Sequence, residues 1–131
     1  MSLAAVALAA VLLSPAQDGH WKGRQTGSEN AAKVTFKVAR DGRVLKGFST
    51  TVSAFCIGPT IGTNYSAVLV ASVPMAKIRR DGHFAKTYET DGGTYKISGT
   101  LRGRRVRDGK VSLQVATCSG QSRWTARRAS R

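Results

Sequence analysis

Acidic side chains are scarce in this sequence: 7 Asp and Glu stand against 21 Lys and Arg in 131 residues, a formal charge of +14. With so few carboxylates and only 2 His, a positioned acid/base pair has little to be built from. No G-x-S-x-G elbow, H-E-x-x-H zinc helix, phosphate loop or dinucleotide-binding glycine pattern occurs. Gly58-Pro59-Thr60-Ile61-Gly62-Thr63 lacks the Lys that a phosphate loop uses. The length is that of one domain, which excludes a multidomain enzyme, while 41% apolar residues suffice for one core.

Four of the carboxylates, Asp41, Asp81, Asp91 and Asp108, stand beside glycines where turn chemistry accounts for them. An enzymatic reading can nominate only His83 and Glu89, and we assign no catalytic residue. His20 and His83 lack a third ligand for a shared metal, so neither a metal nor a cofactor is expected. Asn64-Tyr65-Ser66 matches a glycosylation acceptor, a short pattern that arises often by chance.

The one long apolar run, Ser2 to Leu13, is uncharged, short for a bilayer span, and followed by the small residues Ser14-Pro15-Ala16. Residues 1–16 read as a signal peptide, although no Lys or Arg precedes the run; the alternative is a buried N-terminal helix. Residues 17–131 then form a single exported domain without a transmembrane segment. Export makes a bridge between the only two cysteines, Cys56 and Cys118, the default, two free thiols being the alternative.

Helical periodicity is missing from the rest of the chain, and apolar residues recur with a period of two. Val34, Phe36 and Val38 alternate with Lys33, Thr35 and Lys37. Tyr95, Ile97 and Leu101 alternate with Lys96, Ser98, Thr100 and Arg102. Arg40-Asp41-Gly42, Arg80-Asp81-Gly82 and Arg107-Asp108-Gly109 signpost three hairpins, because Asp-Gly tolerates positive φ. Asp91-Gly92-Gly93 and Thr26-Gly27-Ser28 mark further turns, and a bulge is expected where Cys118 falls out of phase. Strands are expected near 19–25, 31–39, 43–55, 65–72, 75–80, 83–89, 94–102, 110–117 and 122–128. The fold class is all-β: one antiparallel domain of eight to nine short strands, with an up-and-down β-barrel favoured over a β-sandwich and one disulfide. The irregular connection 57–64 would be its mouth or lid.

Several of these segments in order, Gly19-His20-Trp21-Lys22-Gly23, Asp41-Gly42-Arg43-Val44, Arg80-Asp81-Gly82-His83-Phe84, Tyr95-Lys96-Ile97-Ser98-Gly99 and Cys118-Ser119-Gly120, resemble small exported bacterial all-β domains of uncharacterised function, found alone or as envelope modules. The resemblance implies export, an all-β fold and the Cys56 to Cys118 bridge, and supplies no catalytic residue. A looser likeness is to calycins, the lipocalin-like barrels, whose first strand carries the Gly-x-Trp seen at Gly19-His20-Trp21. It implies packing of Trp21 at a barrel end, with Arg123 or Arg127, beside Trp124, stacked on the indole. The plain reading of Trp21 and Trp124 is core packing at the two ends of the chain.

What remains is positive charge. Residues 102–131 hold nine basic side chains and one acid. Arg102, Arg104, Arg105, Arg107, Arg127 and Arg128 are the candidate anion-binding residues, since a guanidinium grips phosphate or carboxylate with two parallel bonds. The expected role is a non-catalytic secreted or cell-envelope module adhering to an anionic cell-wall or extracellular polymer. The alternatives are a calycin-like barrel holding a small apolar ligand, and charge that serves general retention and solubility. Specific nucleic-acid binding is not expected, because no interleaved aromatic and basic stacking motif is visible. Oligomeric state is left open.

Overall fold

A computed structural model describes residues 17–26 and 31–131. The signal-peptide assignment for 1–16 and most of the Thr26-Gly27-Ser28 turn lie outside the described residues. Eight strands follow one another: β1 (Gly19–Thr26), β2 (Lys33–Ala39), β3 (Val44–Cys56), β4 (Tyr65–Lys77), β5 (His83–Thr90), β6 (Gly93–Arg102), β7 (Arg105–Val115) and β8 (Cys118–Ser130). They form one antiparallel sheet in the order β4-β3-β2-β1-β8-β7-β6-β5. Except for β4 and β5, each strand pairs with its neighbours in sequence, and β1 pairs with β8, so the meander returns on itself. Among the described residues no ladder joins β4 to β5. There the curled sheet keeps a seam, spanned at one end by the Arg79 N–H donating to the His83 carbonyl (2.9 Å). The class is all-β as expected, with the barrel left open along one edge.

Alternation builds the core. Val34, Phe36 and Val38 of β2 are buried while Lys33, Thr35 and Lys37 are exposed, as their period of two requires. Trp124 lies at the centre, its ring 5.7 Å from that of Phe36, 5.2 Å from Phe48 and 6.1 Å from Phe84. Trp21 stacks on Phe36 at 5.6 Å. Burying each such large apolar side chain contributes roughly 1.5–3 kcal/mol.

Strand β3 changes partner along its length. It pairs with β2 only as far as Ser49, and its far end meets β8 at Phe55 and Cys56. The gap between is filled by Gln25, a buried side chain whose amide donates to the Thr50 hydroxyl (3.1 Å) and the Thr51 carbonyl. Thr50 in turn donates to the Lys33 carbonyl (2.8 Å). Cys56 and Cys118 are direct cross-strand partners and are joined in a disulfide.

Three expectations are corrected. The segments 65–72 and 75–80 are one strand, β4, because Pro74 lies in a strand paired on one side only, where a missing N–H is tolerated. Arg107-Asp108-Gly109 is no hairpin: Asp108 takes a positive φ of 55° inside β7, where the register with β8 shifts, and the turn falls instead at Gly103 (φ 56°). Both geometries need positive φ, which is why Asp-Gly cannot separate them. Cys118 follows a two-residue turn at Ala116 and Thr117, with no bulge needed to reset it.

Candidate anion-binding face

Strand register decides which basic residues become neighbours. Arg102 lies opposite Arg105, Arg105 opposite Arg127, and Arg127 opposite Lys22. All four are exposed, on the four adjacent strands β6, β7, β8 and β1. With strands about 4.8 Å apart, the row spans about 14 Å across the sheet. Two further cation pairs stand opposite one another beside it, Arg24 with Lys33 and Lys110 with Arg123. Like charges placed directly opposite destabilise a sheet. Among the described residues the one ion pair is Arg79–Asp81 (3.7 Å), so no described carboxylate neutralises the row.

Beside this row the surface is concave. Lys22, Arg24, Lys33, Arg105 and Arg127 line an open trough of about 800 Å³ with Thr35 and Thr125. A second, of about 620 Å³, is lined by Lys86, Lys96, Lys110 and Arg123. Hydroxyl groups among the cations supply neutral hydrogen-bonding partners; Thr125 spends its proton on the Val106 carbonyl (3.1 Å).

The six nominated arginines divide. Arg102, Arg105 and Arg127 lie in the row, and Arg107 is exposed opposite Thr100. Arg104 and Arg128 instead gather at the end of the barrel, where both donate to the Gln17 side-chain oxygen (3.2 and 3.1 Å). Arg128 also donates to the Asp18 carbonyl (2.7 Å), so it tethers the start of β1. Lys22, Arg24 and Lys33 were missed as members. Alternation put Lys33 on a wet face, but only the β1–β8 pairing carries the three beside Arg127.

Trp21 and Trp124 point inward, fully or almost fully buried, whereas Arg123 and Arg127 are exposed on the opposite face of β8. Neither arginine therefore stacks on an indole as the calycin likeness implied. Arg128 is the residue opposite Trp21, whose N–H donates to the Gln17 carbonyl (2.9 Å). The Trp124 N–H is buried without a partner.

Two of the carboxylates, Asp18 and Asp81, serve turns. Asp18 accepts the N–H groups of Asp41 (3.1 Å) and Gly42 (2.7 Å), bracing the β2–β3 turn. Asp81 accepts the His83 N–H (2.9 Å). That bond, together with the Arg79 charge, holds its carboxyl below the ordinary value. Among the described residues, no three His, Cys, Asp or Glu side chains gather as a metal site would require, and no helix is long and apolar enough to cross a membrane.

No family model, curated protein or solved structure matches the chain.

Proposed function

We propose that this is a non-catalytic, exported module of the cell envelope or extracellular space that holds anionic polymers on its basic face. The carrying observation is the row Arg102, Arg105, Arg127 and Lys22, four cations on consecutive strands without a described counter-charge. A fold that sets like charges opposite one another three times in succession is relieved when an anion lies across them. Because the row crosses the strands, the polymer runs perpendicular to them, along the hydroxyl-bearing trough that Lys22, Arg105 and Arg127 help to line. Phosphate or carboxylate groups suit the guanidinium fork. The turn duties of Asp18 and Asp81 support a non-catalytic role. A small apolar ligand inside the barrel has less support, since the ring cluster around Trp124 occupies the interior at its level.

The test is a combined R102Q/R105Q/R127Q variant against an R104Q/R128Q variant on immobilised anionic polymer. The first should lose at least about tenfold in affinity, and its dependence on salt should flatten by roughly 0.7–0.9 in log–log slope for each phosphate contact removed. The second, whose guanidinium groups already hold Gln17, should lose less. Equal losses in the two would show that position within the row does not matter and would reject the site.

A further inference from the structure

From Gly47 to Ala76 the chain contains no Asp, Glu, Lys, Arg or His, 30 uncharged residues in a molecule of charge +14. This segment is nearly all of the β3–β4 hairpin. All seven large apolar side chains exposed among the described residues fall within it: Phe55, Ile57, Ile61, Tyr65, Val68, Val70 and Met75. Strand β4 pairs with β3 along its length and has no ladder on its other side among the described residues. Edge strands are ordinarily defended by charge, and the opposite edge, β5, carries Lys86 and Glu89. Strand β4 has no such defence before Lys77.

What would lie against β4 is written in its own order of residues. Ser66-Ala67-Val68-Leu69-Val70-Ala71-Ser72 reads the same in both directions. Antiparallel pairing with an identical strand about a two-fold axis through Leu69 therefore sets Ser66 opposite Ser72, Ala67 opposite Ala71 and Val68 opposite Val70. Val68 (69% exposed) and Val70 (59%) share the outer face, so the four valines of two copies would form one apolar cluster there. Leu69, half-buried, would meet its counterpart on the inner face. Pro74, with no N–H to offer, bounds the pairing segment on one side. We propose that a second copy of this chain docks here, extending the sheet across a two-fold β4–β4 contact. Its neutrality favours a second copy: this is the surface on which two strongly basic molecules meet without apposing cations.

Sedimentation velocity of the oxidised chain over a concentration and salt series tests this, with V70K as the comparison. The apolar N-terminal run is common to both proteins, so a difference between them reports on β4. The wild-type mass should rise from one chain towards two with concentration, and more readily at high salt, which screens the repulsion between copies. V70K, which sets a lysine opposite Val68 of the partner at an exposed position, should stay at the mass of one chain with an unchanged circular dichroism spectrum. S72K, further from the axis on the same exposed face, gives a second reading if V70K does not fold and should also shift the equilibrium towards one chain. A wild type that remains a single chain throughout, or a dimer that survives the folded variant, would overturn the proposal.

Discussion

Gly109 shows how little space the centre of the molecule leaves. A Cβ there would come within 2.7 Å of the Trp124 ring, against backbone and indole that cannot swing away. Gly109→Ala should therefore cost about 1–3 kcal/mol in urea unfolding, the usual range for overpacking. Asp81 acts through charge instead. Its carboxyl lies below the ordinary 3.8, so its contribution to stability is complete above that value and lost as pH falls through the lower, folded-state one. Thermal melts of D81N and wild type should differ most near about pH 7 and converge near about pH 2. A difference that grew on acidification would contradict that sign. At this scale the sequence was partly legible. The Asp-Gly pairs announced positive φ, yet whether the chain then turned or bulged depended on the packing of Gly109 under Trp124, a contact between strands.

Strand β3 is the element on which the architecture turns, because it leaves β2 after Ser49 and rejoins the sheet at β8. The Cys56–Cys118 bridge fastens that second junction, with the cysteines 62 positions apart in sequence. Replacing both with Ala should lower stability by about 2–5 kcal/mol in reversible denaturation under non-reducing conditions. A loss near zero would mean that the Gln25–Thr50 contacts and the ladder hold the junction unaided. The strands themselves were readable from alternation, and the bridge from the count of cysteines. Partner and register were not, because two-residue periodicity states which face a side chain takes and nothing about which strand lies beside it. For that reason Arg104 and Arg128 were grouped with a face they leave, and Lys22, Arg24 and Lys33 were left out of one they join.

The whole molecule has two kinds of surface, a basic face across β6, β7, β8 and β1 and an uncharged hairpin of β3 and β4. Salt is expected to act on them in opposite directions, weakening the proposed attachment of a polyanion and strengthening the proposed contact between copies. The basic face was foreshadowed by the charge of residues 102–131, whereas its shape depended on the β1–β8 pairing that joins the two ends of the chain. The measurement that bears most directly on function is retention of the oxidised chain on an immobilised anionic polymer over a salt series, with an uncharged polysaccharide as control. Binding to the anionic matrix alone, falling linearly with the logarithm of salt, is the predicted result. Equal retention on both matrices, or retention indifferent to salt, would contradict the assignment of the basic row as the working surface.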